Sequence, residues 1–531
     1  MVLVWLILIP LLGALLAWLG GRWSSVCAQG IALMAMLASL ALSLWLWRNG
    51  DYSLIGAGFT ASLGVLPQWA FEFRTDWIPS FGISFHLGLD GLSLLMVVLT
   101  NLLGAVAVCC GTRDAGTRPG LFYFNLLWNL GSVIGVFLAL DMFLFFFCWE
   151  MMLVPMYFLI ARWGQDAPGG RRREAAALKF AVYTQSSGLL LLLAILALVF
   201  FHRQATGVLS FDYHDLLNTP LRRDIAWLVM LGFWIAFAVK MPVVPFHTWL
   251  ADAHCCAPAA GSLDLAGLLL KTGAYGLLRF GIPYFPEVAH ALAPVAMWLG
   301  VLGVVYGAVL AFAQTDLKRL IAYSGISHMG FVVIGLYAGT EQALQGVVVQ
   351  MIAHGLSAAA LFMLCGEIQA RLQTRELGAM GGLWAAMPAL PPLLLFFALA
   401  SLGLPGLGNF VGEFLILLGT FSVAPLVTLV AASGLVLAVA YALIVVQKAL
   451  HGPPHRVGTL AALDGRTLGL IAVLGLLLLG LGLYPQPVID LARPSVQAVQ
   501  HLYAVGGAAT EAAVTTDAAL ATEAVTTGAP Q

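Results

Sequence analysis

Charged residues are scarce in this chain, and this scarcity excludes most classes of protein. Asp, Glu, Lys and Arg together make up 9% of its 531 residues, against about 25% in soluble domains. Hydrophobic residues make up 61%, and a mean hydropathy of +0.95 excludes a soluble globular protein. The formal net charge of −1 argues against nucleic acid as a partner. The composition therefore predicts a polytopic membrane protein.

Motifs that hold metals or redox groups are also lacking. None of the seven cysteines belongs to a C-x-x-C pair. Almost all of them lie in or beside apolar runs, where cysteine acts as a small packing residue. The sequence has no nucleotide-binding loop, haem ligand pair or iron–sulfur cysteine set. We therefore expect no metal and no bound cofactor in this chain.

Apolar runs long enough for a membrane helix recur along the chain. The predicted fold class is an all-α polytopic membrane protein with about fourteen transmembrane helices of roughly 20 residues each. No basic segment precedes the first run, which favours a retained first span over a cleaved signal. The predicted spans are residues 2–19, 31–47, 87–110, 121–139, 142–161, 175–201, 225–250, 257–282, 292–312, 317–337, 344–369, 390–420, 423–450 and 468–483.

Basic residues fall unevenly between the two sides of the membrane. Fifteen lie in loops that follow odd-numbered spans, and seven lie in the other loops or the tail, with Lys240 and Lys271 left inside spans. Loops rich in Lys and Arg stay in the cytoplasm. Both termini are therefore predicted on the outer side.

Two regions do not fit a membrane span. Apolar and polar residues alternate at Phe71–Arg74 and Ile83–Leu87, within the loop from Asp51 to Gly88. This alternation predicts an outward-facing β-hairpin. The segment from Val505 to Gln531 is rich in Ala and Thr, so we expect it to be disordered.

Six ionisable residues lie where a membrane span should be apolar. One charge at the centre of a membrane helix costs about 2.5–3.5 kcal/mol on insertion scales. Desolvation favours the neutral forms of glutamate and lysine, so such a set has the elements of a proton relay. The structural alternative is that the charges form ion pairs that hold helices together, or that their side chains extend to the membrane surface. For Lys318 and Arg319, which lie close to the end of a span, a position at the surface or in a loop is at least as well supported as a buried one. The six residues are Glu150, Lys240, Lys271, His328, His354 and Glu413.

Two of these charges stand beside interrupted helices. Lys240 lies two residues before Pro242, and Glu413 lies eight residues after Pro405 and its flanking glycines. Proline removes a helix hydrogen bond, and paired interrupted spans are typical of repeat transporters with midplane ion sites. Because the seventh and twelfth spans are five apart, the pattern predicts two inverted five-helix repeats with broken helices seven and twelve.

The stretches around these residues resemble the antiporter-like membrane subunits of the proton-pumping NADH:quinone oxidoreductase, respiratory complex I. The resemblance runs from span three to span twelve. The matching stretches are GLDGLSLL (88–95), GVFLALDMFLFFFCWEMMLVPMYFLIARWG (135–164), KMPVVPFHTWLADAHCCAP (240–258), AGSLDLAGLLLKTGAYGLLRF (260–280), TDLKRLIAYSGISHMGFV (315–332) and GLPGLGNFVGEF (403–414).

The resemblance implies a role for each ionisable residue. Glu150 corresponds to the glutamate of the fifth helix, and Lys240 to the lysine of the seventh helix that it partners. Lys271 corresponds to the connecting lysine of the eighth helix. The remaining members of the implied proton relay are two polar groups of the central axis, His328 and His354, and the terminal residue of the twelfth helix, Glu413.

The resemblance also implies the setting of the chain. It implies a translocase subunit of the enzyme NADH:quinone oxidoreductase in a bacterial inner membrane, beside neighbouring antiporter-like and other membrane subunits. NADH, FMN, iron–sulfur clusters and quinone are expected in partner subunits and none in this chain. The expected divisions are 1–118 (helices 1–3 with the hairpin), 119–282 (first repeat, helices 4–8), 283–450 (second, inverted repeat, helices 9–13), 451–490 (last helix) and 491–531 (tail).

Two alternatives to an energy-transducing subunit stay open. The first is a subunit of the related Mrp-type Na⁺/H⁺ antiporters, which usually carry lysine at the position of Glu413. Glutamate there favours the complex I branch. The second is a structural membrane subunit whose buried charges only hold helices together.

Overall fold

The computed structural model describes residues 1–53, 69–167, 170, 172–217, 219–387, 389–451 and 461–527, with side chains as far as residue 508. Part of the predicted hairpin loop, residues 54–68, lies outside the described residues. So do Arg171 and Arg456, two of the basic residues that orient the chain.

Three helices and a β-hairpin open the chain. Ser24 caps the second helix, since its side chain accepts a hydrogen bond from the Cys27 amide at 3.0 Å. Asp90 caps the third helix through the Ser93 amide at 2.9 Å. The elements are α1 (Val2–Gly20), α2 (Ser25–Asn49), β1 (Phe71–Ile78), β2 (Ile83–Leu89) and α3 (Gly91–Cys110).

Strands β1 and β2 form the hairpin that the sequence predicts. They pair antiparallel, from Phe71 opposite Leu89 to Ile78 opposite Ile83. Gly82, in the turn between them, has a φ of +65°, and a Cβ there would lie 2.0 Å from the backbone oxygen of Leu209. Glycine is therefore required at this turn.

Ten helices make up the middle of the chain. Two π-helical segments, Leu265–Leu269 and Leu277–Gly281, join the last three of them into one continuous and almost wholly buried helix, Ala259–Tyr284. The helices are α4 (Pro119–Leu138), α5 (Met142–Met151), α6 (Leu153–Trp163), α7 (Arg173–Thr206), α8 (Tyr213–Leu217), α9 (Arg223–Lys240), α10 (Thr248–Cys256), α11 (Ala259–Asp264), α12 (Leu270–Gly276) and α13 (Ile282–Tyr284).

Nine helices make up the rest of the described chain. A short 3-10 turn at Leu377–Ala379 and a π-helical segment at Val446–His451 accompany them. The helices are α14 (Pro286–Phe312), α15 (Leu317–Ala338), α16 (Glu341–Leu372), α17 (Leu383–Ala386), α18 (Leu390–Ser401), α19 (Gly408–Phe421), α20 (Pro425–Val445), α21 (Gly465–Leu483) and α22 (Gln486–Thr527).

Within the described ranges, twelve helices are long and apolar enough to cross a membrane. One of them, Met142–Trp163, consists of α5 and α6 together. Two further pairs, α9 with α10 and α18 with α19, take the places of the predicted seventh and twelfth spans. The all-α polytopic fold class is confirmed, whereas the full count of about fourteen spans and the inverted repeats stay predictions.

The seventh span is broken where the sequence predicts. Helix α9 ends at Lys240, and helical structure resumes at Thr248. Pro242 and Pro245 lie between them, and neither can donate the backbone hydrogen bond that a continuous helix needs. Lys240 is therefore the last helical residue before the break.

The twelfth span is broken in a similar way. Helix α18 ends at Ser401, and α19 begins at Gly408. Gly403 and Gly406, on either side of Pro405, have φ angles of +80° and +94°. These left-handed conformations suit glycine and interrupt the helix. Glu413 lies in the second turn of the helix that follows.

The buried side chain of His86 fastens the hairpin to the loop before α8. Its Nδ1 lies 2.6 Å from Asp212 Oδ2, and its Nε2 lies 2.6 Å from Glu72 Oε1. Burial alone would lower the pKa of His86, but the contacts with these two carboxylates raise it above its ordinary value. Burial alone would raise the pKa of Asp212, but its contact with His86 lowers that pKa below its ordinary value. The contacts favour a charged His86.

Helix α22 occupies most of the segment that is predicted from the sequence to be a tail. It packs against α3, α14 and α16. Its helical course to Thr527 differs from the disorder predicted from Val505 onward, since alanine, which is frequent there, has the highest helix propensity. The buried residues recur at helical spacing, which is the pattern that would have predicted this helix. Ile489, Ala492, Val496, Val499 and Tyr503 are among them.

Replacing Gly91 by alanine is expected to weaken the docking of α22. The new Cβ would lie 1.8 Å from the backbone oxygen of Leu491, and such overpacking costs about 1–3 kcal/mol. We expect a lower midpoint of thermal unfolding for the purified protein and faster proteolysis within α22. Gly30→Ala, which places its Cβ in open space on α2, is the matched control. Equal midpoints and equal proteolysis in the two variants would contradict the packing described.

Candidate functional site

Lys271 stands at the centre of a buried group of polar side chains. Its Nζ lies 2.6 Å from His354 Nδ1 and also donates a hydrogen bond to the Ala266 carbonyl. Both Lys271 and His354 are buried. The π-helical segment Leu265–Leu269 directly precedes α12, which carries Lys271. Segments of this kind are frequent at functional sites because they depart from the regular helical hydrogen-bond pattern.

The polar group continues from His354 to Glu413. The rings of His354 and His328 have centroids 5.3 Å apart, and His328 Nδ1 lies 2.6 Å from Glu413 Oε1. Gln350 Nε2 donates to the same carboxylate oxygen at 2.9 Å, and His328 Nε2 lies 3.2 Å from Ser401 Oγ. Four of the six predicted residues therefore form one row, which we call the axis row: Lys271, His354, His328 and Glu413.

Lys240 lies apart from the axis row, at the end of α9. It is 1% exposed, and its Nζ lies 4.9 Å from the centre of the Trp149 ring, within the range of a cation–π interaction. The carboxylates that act on its charge are Glu150 and Asp264. Among the described side chains, Glu150 is a neighbouring charge of Lys240 but forms no ion pair with it within 4.0 Å.

Glu150 lies near the end of α5, and a glycine on α7 leaves room for its carboxylate. Its side chain is only partly buried. A Cβ added at Gly188 would lie 1.8 Å from Glu150 Oε1. The position of the carboxylate thus depends on the absence of a side chain at Gly188.

Sequence reasoning missed several buried polar residues. Asp264 lies inside the predicted span 257–282, so its charge could have been counted with the other six. Gln350 and Ser401, which contact Glu413 and His328, are uncharged, and a single amide or hydroxyl in an apolar run is a weak indication of function. Arg279, assigned to a loop from the sequence, is instead buried and hydrogen-bonded to Asp90.

Lys318 and Arg319 occupy different environments, although they are adjacent in sequence. Lys318 is 3% exposed and donates to the Ala257 carbonyl at 2.7 Å. It lines a polar cavity of about 440 Å³ that Asp114 and Glu367 also line. Arg319 is partly exposed and donates to Asp252 Oδ1 at 3.0 Å. Lys318 is therefore buried inside the bundle, whereas Arg319 lies at its partly exposed edge.

The described residues include no cluster that could hold a metal ion, meaning three or more His, Cys, Asp or Glu side chains. All seven cysteines are free thiols. The expectation that cofactors lie outside this chain stays a prediction.

Comparison with known proteins identifies the relatives of this chain. The family described as "NADH:quinone oxidoreductase/Mrp antiporter, TM" matches residues 139–438. The chain belongs to this family. The match begins before α5 and ends within α20, so it covers all six ionisable residues predicted from the sequence.

Curated members of this family align over nearly the whole chain. NADH-quinone oxidoreductase subunit M of Pseudomonas aeruginosa is 57% identical over 502 residues, which cover 94% of this chain and 98% of the relative. Subunit M of Escherichia coli strain K12 is 56% identical over 506 residues, which cover 95% of this chain and 98% of the relative. The resemblance drawn from the sequence is confirmed.

Solved structures of the family have the same fold. A chain of respiratory complex I from Thermus thermophilus with bound NADH matches with a TM-score of 0.80 and 30% identity, over 95% of this chain and all of that one. A chain of the Mrp complex from Dietzia sp. DQ12-45-1b matches with a TM-score of 0.77 over 94% of this chain and 97% of that one. Its 20% identity makes it a likeness of fold alone.

Gly188→Ala is expected to lower proton translocation without preventing folding. The added Cβ meets the far end of the flexible Glu150 side chain, which can swing aside, so the cost falls on the position of the carboxylate. The measurement is proton uptake by inverted membrane vesicles that oxidise NADH, normalised to the amount of assembled complex. Gly469→Ala, which adds its Cβ to open space on α21, is the control. Equal uptake by the two variants would mean that the position of Glu150 does not matter.

Proposed function

We propose that this chain is the proton-translocating membrane subunit of an NADH:quinone oxidoreductase, and that it moves protons along a relay of Glu150, Lys240, Lys271, His354, His328 and Glu413. Redox chemistry in partner subunits drives the transfer. The observation that carries the proposal is the axis row, in which Lys271, His354, His328 and Glu413 follow one another across the bundle.

The chemistry of the axis row suits proton transfer. Each direct contact in it joins a group that can give a proton to one that can accept it, at 2.6 Å for Lys271 with His354 and for His328 with Glu413. Imidazole has two ring nitrogens, so a histidine can take a proton on one side and release it on the other. Burial keeps competing water away from these exchanges.

The electrostatic influence of Glu150 on Lys240 provides the switch in this proposal. A nearby carboxylate favours the charged lysine, and desolvation favours the neutral one. Movement of Glu150 away from Lys240 would thus release a proton toward the axis row. The partly buried position of Glu150 and the space that Gly188 leaves for its carboxylate support a side chain that can move.

The repeat boundaries belong to the same proposal. Residues 119–282 and 283–450 form two five-helix units of inverted topology, flanked by 1–118, 451–490 and 491–531. The breaks at α9/α10 and α18/α19 support this division, because each stands beside an ionisable residue, Lys240 or Glu413. Paired broken helices are a mark of inverted-repeat transporters.

The setting follows from the relatives. The chain is a multi-pass protein of a bacterial inner membrane, and its family members sit among other membrane subunits. We place both termini on the periplasmic side, from the distribution of basic residues. NADH, FMN, iron–sulfur clusters and quinone are assigned to partner subunits.

An Mrp-type Na⁺/H⁺ antiporter subunit is the second candidate, supported by the shared fold. Two observations favour the first. The relatives that are 56% and 57% identical are subunits of NADH-quinone oxidoreductase. Glu413, where lysine is usual in Mrp-type subunits, accepts one hydrogen bond from Gln350 and contacts His328.

Lys240→Ala is the direct test of the relay. We expect the complex to assemble and NADH-driven proton uptake to fall about tenfold or more, since a positioned proton-transfer group commonly contributes about 100-fold or more. Lys448→Ala is the matched control, because Lys448 is an exposed lysine close to the end of α20. Uptake in Lys240→Ala equal to that in Lys448→Ala would return the buried charges to a structural role.

A further inference from the structure

Asp264 is a buried carboxylate to which the relay above gives no role. It is the last residue of α11 and is fully buried, with 0% of its surface exposed. Asn129 Nδ2 donates a hydrogen bond to its Oδ2. Its Oδ1 is also buried and has no hydrogen-bond partner among the described residues. Half of this carboxylate therefore lacks a partner in a place where an unpaired charge is costly.

We infer that Asp264 is a further proton carrier of the relay, placed between Lys240 and Lys271. This inference rests on the proposed function. Among the described residues, the axis row makes no polar contact with Lys240. The inference therefore makes Asp264 the residue that carries the proton from Lys240 to Lys271.

The first half of the inference concerns Lys240. Glu150 and Asp264 are the two carboxylates that act on the Lys240 charge, and they come from different helices, α5 and α11. One lysine can neutralise only one of them at a time. When Glu150 moves away, Asp264 remains as the acceptor for the Lys240 proton.

The second half concerns Lys271. Asp264 and Lys271 are seven residues apart in the continuous helix Ala259–Tyr284, and the π-helical segment Leu265–Leu269 between them shifts the register from that of a regular α-helix. Ala266, whose carbonyl accepts a hydrogen bond from Lys271 Nζ, lies between them in the π-helical segment. Lys271 is thus turned toward the Asp264 end of the helix.

The proposed transfer balances in protons and charge. The Lys240 ammonium gives one proton to Asp264 Oδ1, which leaves a neutral amine and a neutral carboxylic acid. The acid then gives the proton to the neutral Lys271 amine, which becomes an ammonium beside His354. Asp264 returns to its carboxylate form. No oxidant or reductant takes part in either step.

A structural role for Asp264 makes a different prediction. If the side chain served only to accept the Asn129 hydrogen bond, asparagine at position 264 would keep that bond through its own amide oxygen. A carboxylate without a role in transfer would therefore leave proton uptake unchanged in Asp264→Asn, whereas a proton carrier would not. The variants below separate these cases.

The test compares three variants in the full complex. We expect Asp264→Asn to lower NADH-driven proton uptake at least about fivefold, because the amide cannot carry the proton. Asp264→Glu is expected to recover most of the uptake, because it restores an acid. Asn129→Leu is expected to keep uptake within about twofold of the natural protein, because it removes the hydrogen bond and leaves the acid in place. Native gel electrophoresis measures the amount of assembled complex to which each rate is normalised.

The outcomes distinguish this inference from the proposed function. Unchanged uptake in Asp264→Asn together with a loss in Lys240→Ala would overturn the role of Asp264 and leave the relay standing. Equal losses in Asp264→Asn, Asp264→Glu and Asn129→Leu would also overturn it, because the loss would then not depend on an acid at position 264. Unchanged uptake in both Asp264→Asn and Lys240→Ala would overturn the relay itself.

Discussion

An ionisable side chain inside an apolar bundle must find its partner within the protein, and this constraint governs the centre of the structure. Lys271 meets it through His354 and the Ala266 carbonyl. Glu413 meets it through His328 and Gln350. These partners come from α12, α15, α16 and α19, so the packing of four helices and the polar contacts between them depend on one another. A shift of any one helix would remove a partner from a buried polar group.

The two helix breaks lie next to two of these ionisable side chains. Lys240 ends α9 at a break, and Gly403 in the second break lies beside Glu413, where an added Cβ would be 3.4 Å from Oε2. Interrupted helices expose backbone amides and carbonyls at a depth where regular helices hide them. Each of the two breaks therefore brings backbone that lies outside regular helix near an ionisable side chain.

The fold class could be predicted from the apolar composition. Both helix breaks and the positions of the six ionisable residues within predicted spans could be found because each departs from a uniform apolar background. A lone lysine such as Lys240 stands out in a span, and Pro242 beside it marks the break. The contacts between these residues were harder to predict. Lys271 Nζ lies 2.6 Å from His354 Nδ1, although the two residues are 83 positions apart in the sequence. Helix α22 was missed because its buried stripe consists partly of alanine and valine at modest hydropathy. Asp264 was missed although its charge was visible, because it lies toward the start of its predicted span.

Asp90 joins parts of the chain that are made at very different times. Its carboxylate accepts hydrogen bonds from Arg279 and, at 2.7 Å, from Ser495 of α22, which lies 405 residues further along. Synthesis starts at the N-terminus, so Asp90 and Arg279 are both in place long before Ser495 emerges. The last hydrogen bond of this buried pair therefore closes only when almost the whole polypeptide has been inserted. A chain cut short before α22 would retain every ionisable residue of the axis row and still carry an unfinished polar centre, a defect that quality control in the membrane could recognise.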